Sequence, residues 1–187
     1  MPISAKQTEL HPADLFAQAD EAAAKDRHWW VLYSLSRHEK QLMQRLLGLN
    51  VGFYCPIVAK RQRSPAGRVR VSHIPLFSNY VFMLGDEGER RAALTTQCVS
   101  RVLIAPDHAQ LTADLRQIQQ LIATGAPLTP ERRIEPGARV RVASGAFRGF
   151  EGTVLRREGH TRLLVAVNFL QQGASVLLDD CQLQRLD

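Results

Sequence analysis

Hydrophobic and polar positions along the chain fall into two alternating periods. WWVLYSL (29–35) is aromatic, β-branched and apolar, the content of a strand. Ser36-Arg37-His38-Glu39 follows with the S-x-x-E spacing of a capping box, which predicts that Ser36 accepts from an early helical N–H while Glu39 reaches back to the cap. Leu42, Leu46 and Leu49, flanked by Met43 and Leu47, then recur at helical spacing and stop near Asn50 and Gly52. Strands are predicted over 53–59 and 68–74, with Ser64-Pro65-Ala66-Gly67 as the turn of their hairpin. A fourth strand covers 79–84, where alternation puts Tyr80 and Phe82 on one face and Val81 and Met83 on the other. Asp86, Glu87 and Glu89 place acid at the start of a second helix running to about Leu94, where it complements the helix dipole. A fifth strand spans 99–105. Thr112 is expected to cap a last helix, with Leu115, Ile118, Leu121 and Ile122 on one side, that ends at Gly125.

This order predicts an α+β domain over 28–124, an antiparallel sheet with helices packed against it. The preceding residues 1–27 are acidic, alanine-rich and poor in aromatics, and are expected as an extension, flexible or loosely docked. APLTPERRIEPG (126–137) has three prolines and four charges without apolar periodicity, which predicts a linker over 125–136. From 137 to 187 only short strand patterns follow, at 139–143, 150–156, 163–169, 175–178 and 182–185, suggesting a small barrel. Leu163 to Leu170 suits helix or strand by apolarity alone, and Val165, Val167 and Val176 favour strand.

Charge changes the picture. The net charge of +6 is uneven: −3 over 1–26, +7 over 27–124 and +2 over 125–187. Lys60, Arg61, Arg63, Arg68 and Arg70 crowd the predicted hairpin with no acid among them, so phosphate contacts there are expected from Arg61, Arg63 and Arg68, as salt-sensitive affinity without sequence information. A solvated hairpin tip would look the same. Cys55, Cys98 and Cys181 are odd in number and widely spaced, which speaks against a disulfide framework or zinc site and for a reducing, cytoplasmic setting. The six histidines are scattered, no metal-ligand spacing occurs, and no apolar run approaches a membrane span. Asp179-Asp180-Cys181 is the only tight acid pair and lacks a nearby histidine or third carboxylate, so no enzyme, cofactor or metal site is expected.

SGAFRGFEG (144–152) holds three glycines and two phenylalanines. A phosphate loop would lead into a helix through Lys-Ser/Thr, whereas Thr153-Val154-Leu155 is strand-forming. The stretch therefore reads as a turn between strands, with phenylalanines free to face a core.

Together these residues carry a resemblance. GARVRVASGAFRGFEGTV (137–154) resembles the KOW motif of the NusG family of transcription elongation factors, and WWVLY (29–33), PLFSNYVF (75–82) and VSRVL (99–103) resemble marker segments of that family's N-terminal (NGN) domain. The resemblance runs over 28–187 in family order. It implies an NGN domain that grips the clamp helices of the largest RNA polymerase subunit and reduces pausing or termination, with Tyr33, Phe77, Tyr80 and Phe82 at gripping positions. Clustered aromatics suit an interface anchor, although strand alternation allows them equally to be sheet core. Gly145-Ala146-Phe147, Asn79 before Tyr80, and LVAVNFL (164–170) are similar to specialised RfaH-like members rather than to the general factor. That likeness implies reading of the displaced non-template DNA strand at the first helix and at the loop before the fifth strand, where Arg45, Thr96 and Gln97 stand, with Arg37 and Arg101 nearby. Leu35 and Gly48 occupy two places that are basic on that surface, so no recognition sequence carries over. Phe169 and Leu170 match the contact with the ribosomal small-subunit protein NusE, and a monomer is expected. The alternatives are a general housekeeping member of the family and a ribosome-associated, RNA-binding KOW protein.

Overall fold

A computed structural model of the protein describes residues 8–63, 67–133, 137–157, 159–179 and 182–186. The chain divides into two units, Met1–Thr112 and Ala113–Asp187. The first contains β1 (Leu10–His11), α1 (Leu15–Glu21), a short 3-10 turn (Ala22–Lys25), β2 (His28–Ser34), α2 (Glu39–Gly48), β3 (Gly52–Tyr54), β4 (Ile57–Arg63), β5 (Val69–Pro75), β6 (Tyr80–Gly85), α3 (Glu87–Thr95) and β7 (Val99–Ile104). The helix α4 (His108–Ala123) begins in this unit and ends in the next.

The main sheet has the order β1-β3-β6-β2-β7 and is antiparallel throughout, while β4 and β5 form a separate hairpin. One face carries Trp30, Leu32, Phe53, Val81 and Met83, which pack with Leu42, Met43 and Leu46 of α2 and Ala93 of α3 in a single apolar cluster. The apolar stripe of α2 is thus spent on this face, as its helical spacing predicts. On the other face Phe16 of α1 sits tilted to Trp29 at 6.2 Å and edge-on to Tyr54 at 5.4 Å. Phe77 meets Phe82 edge-on at 6.0 Å. The shared face of Tyr80 and Phe82 agrees with the strand alternation, but β6 is central and both of its faces are covered.

Three local expectations are corrected. The acidic N-terminal stretch is not a loose extension over its described part, since β1 pairs with β3 and Leu15 and Phe16 are buried. Few apolar residues suffice because α1 is only seven residues long and needs to bury only Leu15 and Phe16, the latter against Trp29 and Tyr54. The S-x-x-E pattern at Ser36 makes no capping box: α2 starts at Glu39 with His38 at the cap position and no side-chain cap bond. The box forms instead at α3, where Asp86 accepts from Glu89 N and Glu89 accepts from Asp86 N, both at 2.8 Å. Thr112 lies inside α4, which is capped by Asp107 accepting from Gln110 N at 2.8 Å. The Thr112 hydroxyl instead accepts from Trp29 Nε1 at 2.8 Å and donates to the carbonyl of His108.

The second unit is built on β8 (Leu128–Glu131), β9 (Arg139–Val142), β10 (Glu151–Arg157), β11 (His160–Val167), β12 (Gln172–Leu177) and β13 (Leu183–Arg185). These form one antiparallel sheet in the order β13-β9-β10-β11-β12-β8, and Val140, Val142, Leu163, Val165, Val167, Ala174 and Val176 are buried in it. The valines of β11 settle the ambiguous apolar run as strand up to Val167, after which a 3-10 turn (Asn168–Leu170) takes Phe169 and Leu170 out of the ladder. The glycine stretch is a turn between β9 and β10, as expected. Gly149 takes φ +91°, and a Cβ on Gly152 would meet the Leu164 carbonyl oxygen at 2.2 Å, so only glycine fits there. Phe147 and Phe150 are half-buried and pack edge-on against each other rather than entering the core.

The expected linker carries β8, which pairs with β12 from Leu128↔Val176 to Glu131↔Gly173. Pro130 argued against a strand in the sequence, yet β8 is an edge, where a missing N–H costs no ladder bond on the open side. The hairpin-turn residues Ser64, Pro65 and Ala66, the linker residues 134–136, and Asp180 and Cys181 lie outside the described residues.

Candidate functional site

β2 and β6 end together on one side of the first unit, where Tyr33 and Tyr80 are register partners. Their rings meet edge-on with centroids 5.1 Å apart. Arg101, the partner of Tyr33 on β7, lays its guanidinium over the Tyr33 ring at 5.3 Å, a cation–π stack on an exposed strand. Asn79 completes the group, donating from Nδ2 to the Tyr33 hydroxyl at 3.4 Å. Both tyrosines are half-buried and Arg101 is exposed. Two aromatic rings and a guanidinium are therefore presented side by side.

The cluster is held by turns whose residues adopt left-handed backbone angles without being glycine: Arg37 (φ +63°), Asn79 (φ +69°) and Gln97 (φ +58°). Ser34 N donates to Asn79 O at 2.7 Å, and Leu35 N donates to Cys98 O at 2.8 Å, tying the β2–α2 loop to the turn before β6 and to the loop before β7. Asn79 N donates to Glu39 Oε1 at 2.8 Å, and the Glu39 side chain is buried. The glutamate that the sequence assigns to its own helix cap thus supports the turn that presents Tyr80. Thr96 donates to Ala93 O and accepts from Cys98 N, closing the loop that exposes Gln97. Beneath, Cys55 donates through Sγ to Tyr80 O at 3.7 Å. Burial pushes its thiol far above the ordinary range, with Glu39 and Glu9 adding to the shift, so Cys55 stays protonated and unreactive.

Of the residues singled out in the sequence, the structure brings Tyr33, Tyr80, Arg37, Thr96, Gln97 and Arg101 to one end of the sheet. Phe77 and Phe82 do not join that surface: they are 1% and 0% exposed. Phe82 lies two residues further along β6, paired with Val31 and Tyr54 in mid-sheet, and distance from the strand end separates it from Tyr80. An apolar surface of Phe77, Tyr80 and Phe82 together is therefore not formed. Arg45 is exposed in the last turn of α2, about 9 Å along the helix from Glu39. Arg61 and Arg63 stand in β4 and Arg68 just before β5, on the hairpin apart from the main sheet. Phe169 and Leu170 are half-buried in the second unit, on a 3-10 turn anchored by Asn168, whose N and Nδ2 donate to the buried Asp114 carboxylate at 2.8 and 3.1 Å.

Sequence reasoning passes over Asn79 and Glu39 as site residues. Asn79 carried a usable signal, an asparagine between Ser78 and Tyr80 at a strand start, one of the non-glycine residue types that tolerate left-handed angles. Glu39 carried none, because its partner is distant in sequence.

An antiparallel α+β unit presenting an aromatic–arginine stack is followed by a second unit in which most of α4 accompanies a six-stranded antiparallel sheet; among the described residues no three His, Cys, Asp or Glu side chains group as a metal site, and no helix is long and apolar enough to cross a membrane. The family profile described as transcription termination factor nusG matches residues 27–122, and the KOW motif matches 136–167. The chain belongs to the NusG family and is, in that general sense, a transcription elongation and antitermination factor with an NGN and a KOW domain. Such factors are in general regulatory proteins that act with RNA polymerase and are not enzymes. No curated protein matches the chain significantly.

Proposed function

We propose that the protein is a specialised, RfaH-like member of the family, acting as a cytoplasmic monomer, that binds the clamp helices of the largest RNA polymerase subunit through the sheet end bearing Tyr33 and Tyr80. The observation that carries this reading is the Tyr33–Tyr80–Arg101 stack, fixed by Asn79 and Glu39 at the end of the main sheet. Large rings already held in place lose little entropy on binding, which is what an interface anchor requires. Phe77 and Phe82 act from below, as the packing that positions Tyr80.

Arg37, Thr96, Gln97 and Arg101 border the same end and meet the displaced non-template DNA strand, with Arg45 reaching it from α2. Arg61, Arg63 and Arg68 add phosphate contacts that do not depend on sequence. The KOW domain engages NusE through Phe169 and Leu170 and so recruits the ribosome. Polymerase complexes stalled on bubble templates that differ only in the non-template strand test the base-reading part. Gln97→Ala or Arg45→Ala should change the order of preference among templates, and an equal loss on every template would remove these residues from base reading.

A further inference from the structure

Tyr33 and Tyr80 are one end of a longer aromatic face. Alternation puts Trp29, Val31 and Tyr33 of β2 on that face, opposite Leu84, Phe82 and Tyr80 of β6, with Tyr54 of β3 beside Phe82. At the far end Phe16 of α1 lies against Trp29 and Tyr54. Leu15 fills the notch at Gly52, where a Cβ would meet Leu15 Cδ1 at 2.8 Å. β1 and α1 precede residues 27–122, the span of the family match, whereas β2, β3 and β6 lie inside it. A segment ahead of the family's domain therefore lies on a face that belongs to that domain.

This segment is lightly held. α1 has seven residues, too few to be stable as a helix on its own, and the side chains it buries are Leu15 and Phe16. β1 pairs Leu10 with Tyr54 and His11 with Phe53, extended by Cys55 N donating to Glu9 O at 2.7 Å. Elements with so few buried contacts open before the rest of a fold does. The outer side of α1 carries exposed Ala17, Asp20 and Glu21, which offer no large apolar side chain to a partner. The face beneath has its own support: Trp29 Nε1 donates to Thr112 Oγ1 at 2.8 Å, and Phe77 packs edge-on against Phe82.

Trp29 and Tyr33 stand four residues apart in β2, about 13 Å along the strand. A partner helix laid along the strands from Tyr33 would run into α1. A pair laid across them, at the usual helix spacing of about 8–10 Å, would set its second member on Trp29 and Tyr54. Either placement needs the position that α1 holds.

We propose that β1 and α1 form a displaceable cover on the polymerase-binding face. Polymerase helices reach the tyrosine end with the cover in place, and gain the Trp29–Tyr54 end when α1 leaves. The inference rests on the polymerase reading above and adds to it the regulation of that site by the chain's own N-terminal segment.

Hydrogen–deuterium exchange of the full-length chain, free and with nuclease-treated core RNA polymerase, tests this on the unmodified protein. Peptides within residues 9–22 should exchange faster in the complex than in the free chain, while residues 77–82 become protected. Phe16→Ala should tighten polymerase binding roughly five- to tenfold, because the free chain no longer spends most of its time covered, and Phe16→Tyr, which keeps the ring, should bind as the unmodified chain does. The exchange measurement decides even where Phe16→Ala disturbs folding. Unchanged or slower exchange at 9–22 alongside protection of 77–82 would overturn the cover and leave the polymerase site standing, as would a folded Phe16→Ala protein that binds no more tightly. Absence of protection anywhere in the chain would remove the polymerase site and the cover together.

Discussion

At the scale of single residues, two aromatic pairs in similar sequence surroundings have opposite roles. Tyr33 and Tyr80 are half-buried at a strand end, whereas Phe77 and Phe82 are enclosed. Tyr80→Ala should therefore weaken binding of core RNA polymerase by about 2 kcal/mol, roughly thirtyfold, with little change in the thermal melt. Phe77→Ala or Phe82→Ala should instead cost about 3–5 kcal/mol of folding stability in urea titrations, because each leaves a cavity beside the other ring. Glu39 provides a finer check. Its removal by alanine leaves the Asn79 N–H without an acceptor and should cost about 1–3 kcal/mol, while Glu39→Gln, which keeps an acceptor oxygen, should recover most of it. Equal losses for the two substitutions would show that the Asn79 bond contributes nothing.

At the scale of elements, α2 was legible from its helical apolar spacing, and β2 and β11 from runs rich in aromatic or β-branched residues. What stayed hidden depends on partners far away in the chain. β1 and α1 are too short to show a period and are held by Phe53, Tyr54 and Trp29. β8 contains a proline that only an edge position tolerates. The exposure of Tyr80 against Phe82 depends on where β6 begins, which alternation alone does not decide. The join between β2 and α4 yields an expectation of its own. His108 Nδ1 accepts from Trp29 N at 3.0 Å, which requires the neutral ring, and partial burial followed by the nearby His28 depresses its pKa, against an opposing pull from Asp107. A depressed histidine is protonated more readily in the unfolded chain, so its stabilising contribution is complete above about pH 6.5 and is lost as pH falls toward the folded value. The urea midpoint should drop below pH 6.5, and the His108→Asn profile should be flatter; identical profiles would remove His108 from the transition.

At the scale of the whole molecule, the chain combines a sheet with an aromatic–arginine end, a basic hairpin, and a second unit whose six-stranded sheet leads into a turn bearing Phe169 and Leu170. The hairpin and the Phe169–Leu170 turn lie on elements other than the tyrosine-bearing end, whereas Arg101 belongs both to the stack and to the edge proposed for the DNA strand. The reading stands or falls on where polymerase touches. Hydrogen–deuterium exchange of the full-length chain with and without core RNA polymerase, after nuclease treatment, locates that contact directly. Protection should appear in peptides covering residues 33–39, 77–82 and 96–101, and Tyr33→Ala with Tyr80→Ala together should abolish it. Protection confined to residues 139–185, or no protection once nucleic acid is removed, would contradict the assignment of the tyrosine–arginine end of the sheet as the polymerase site.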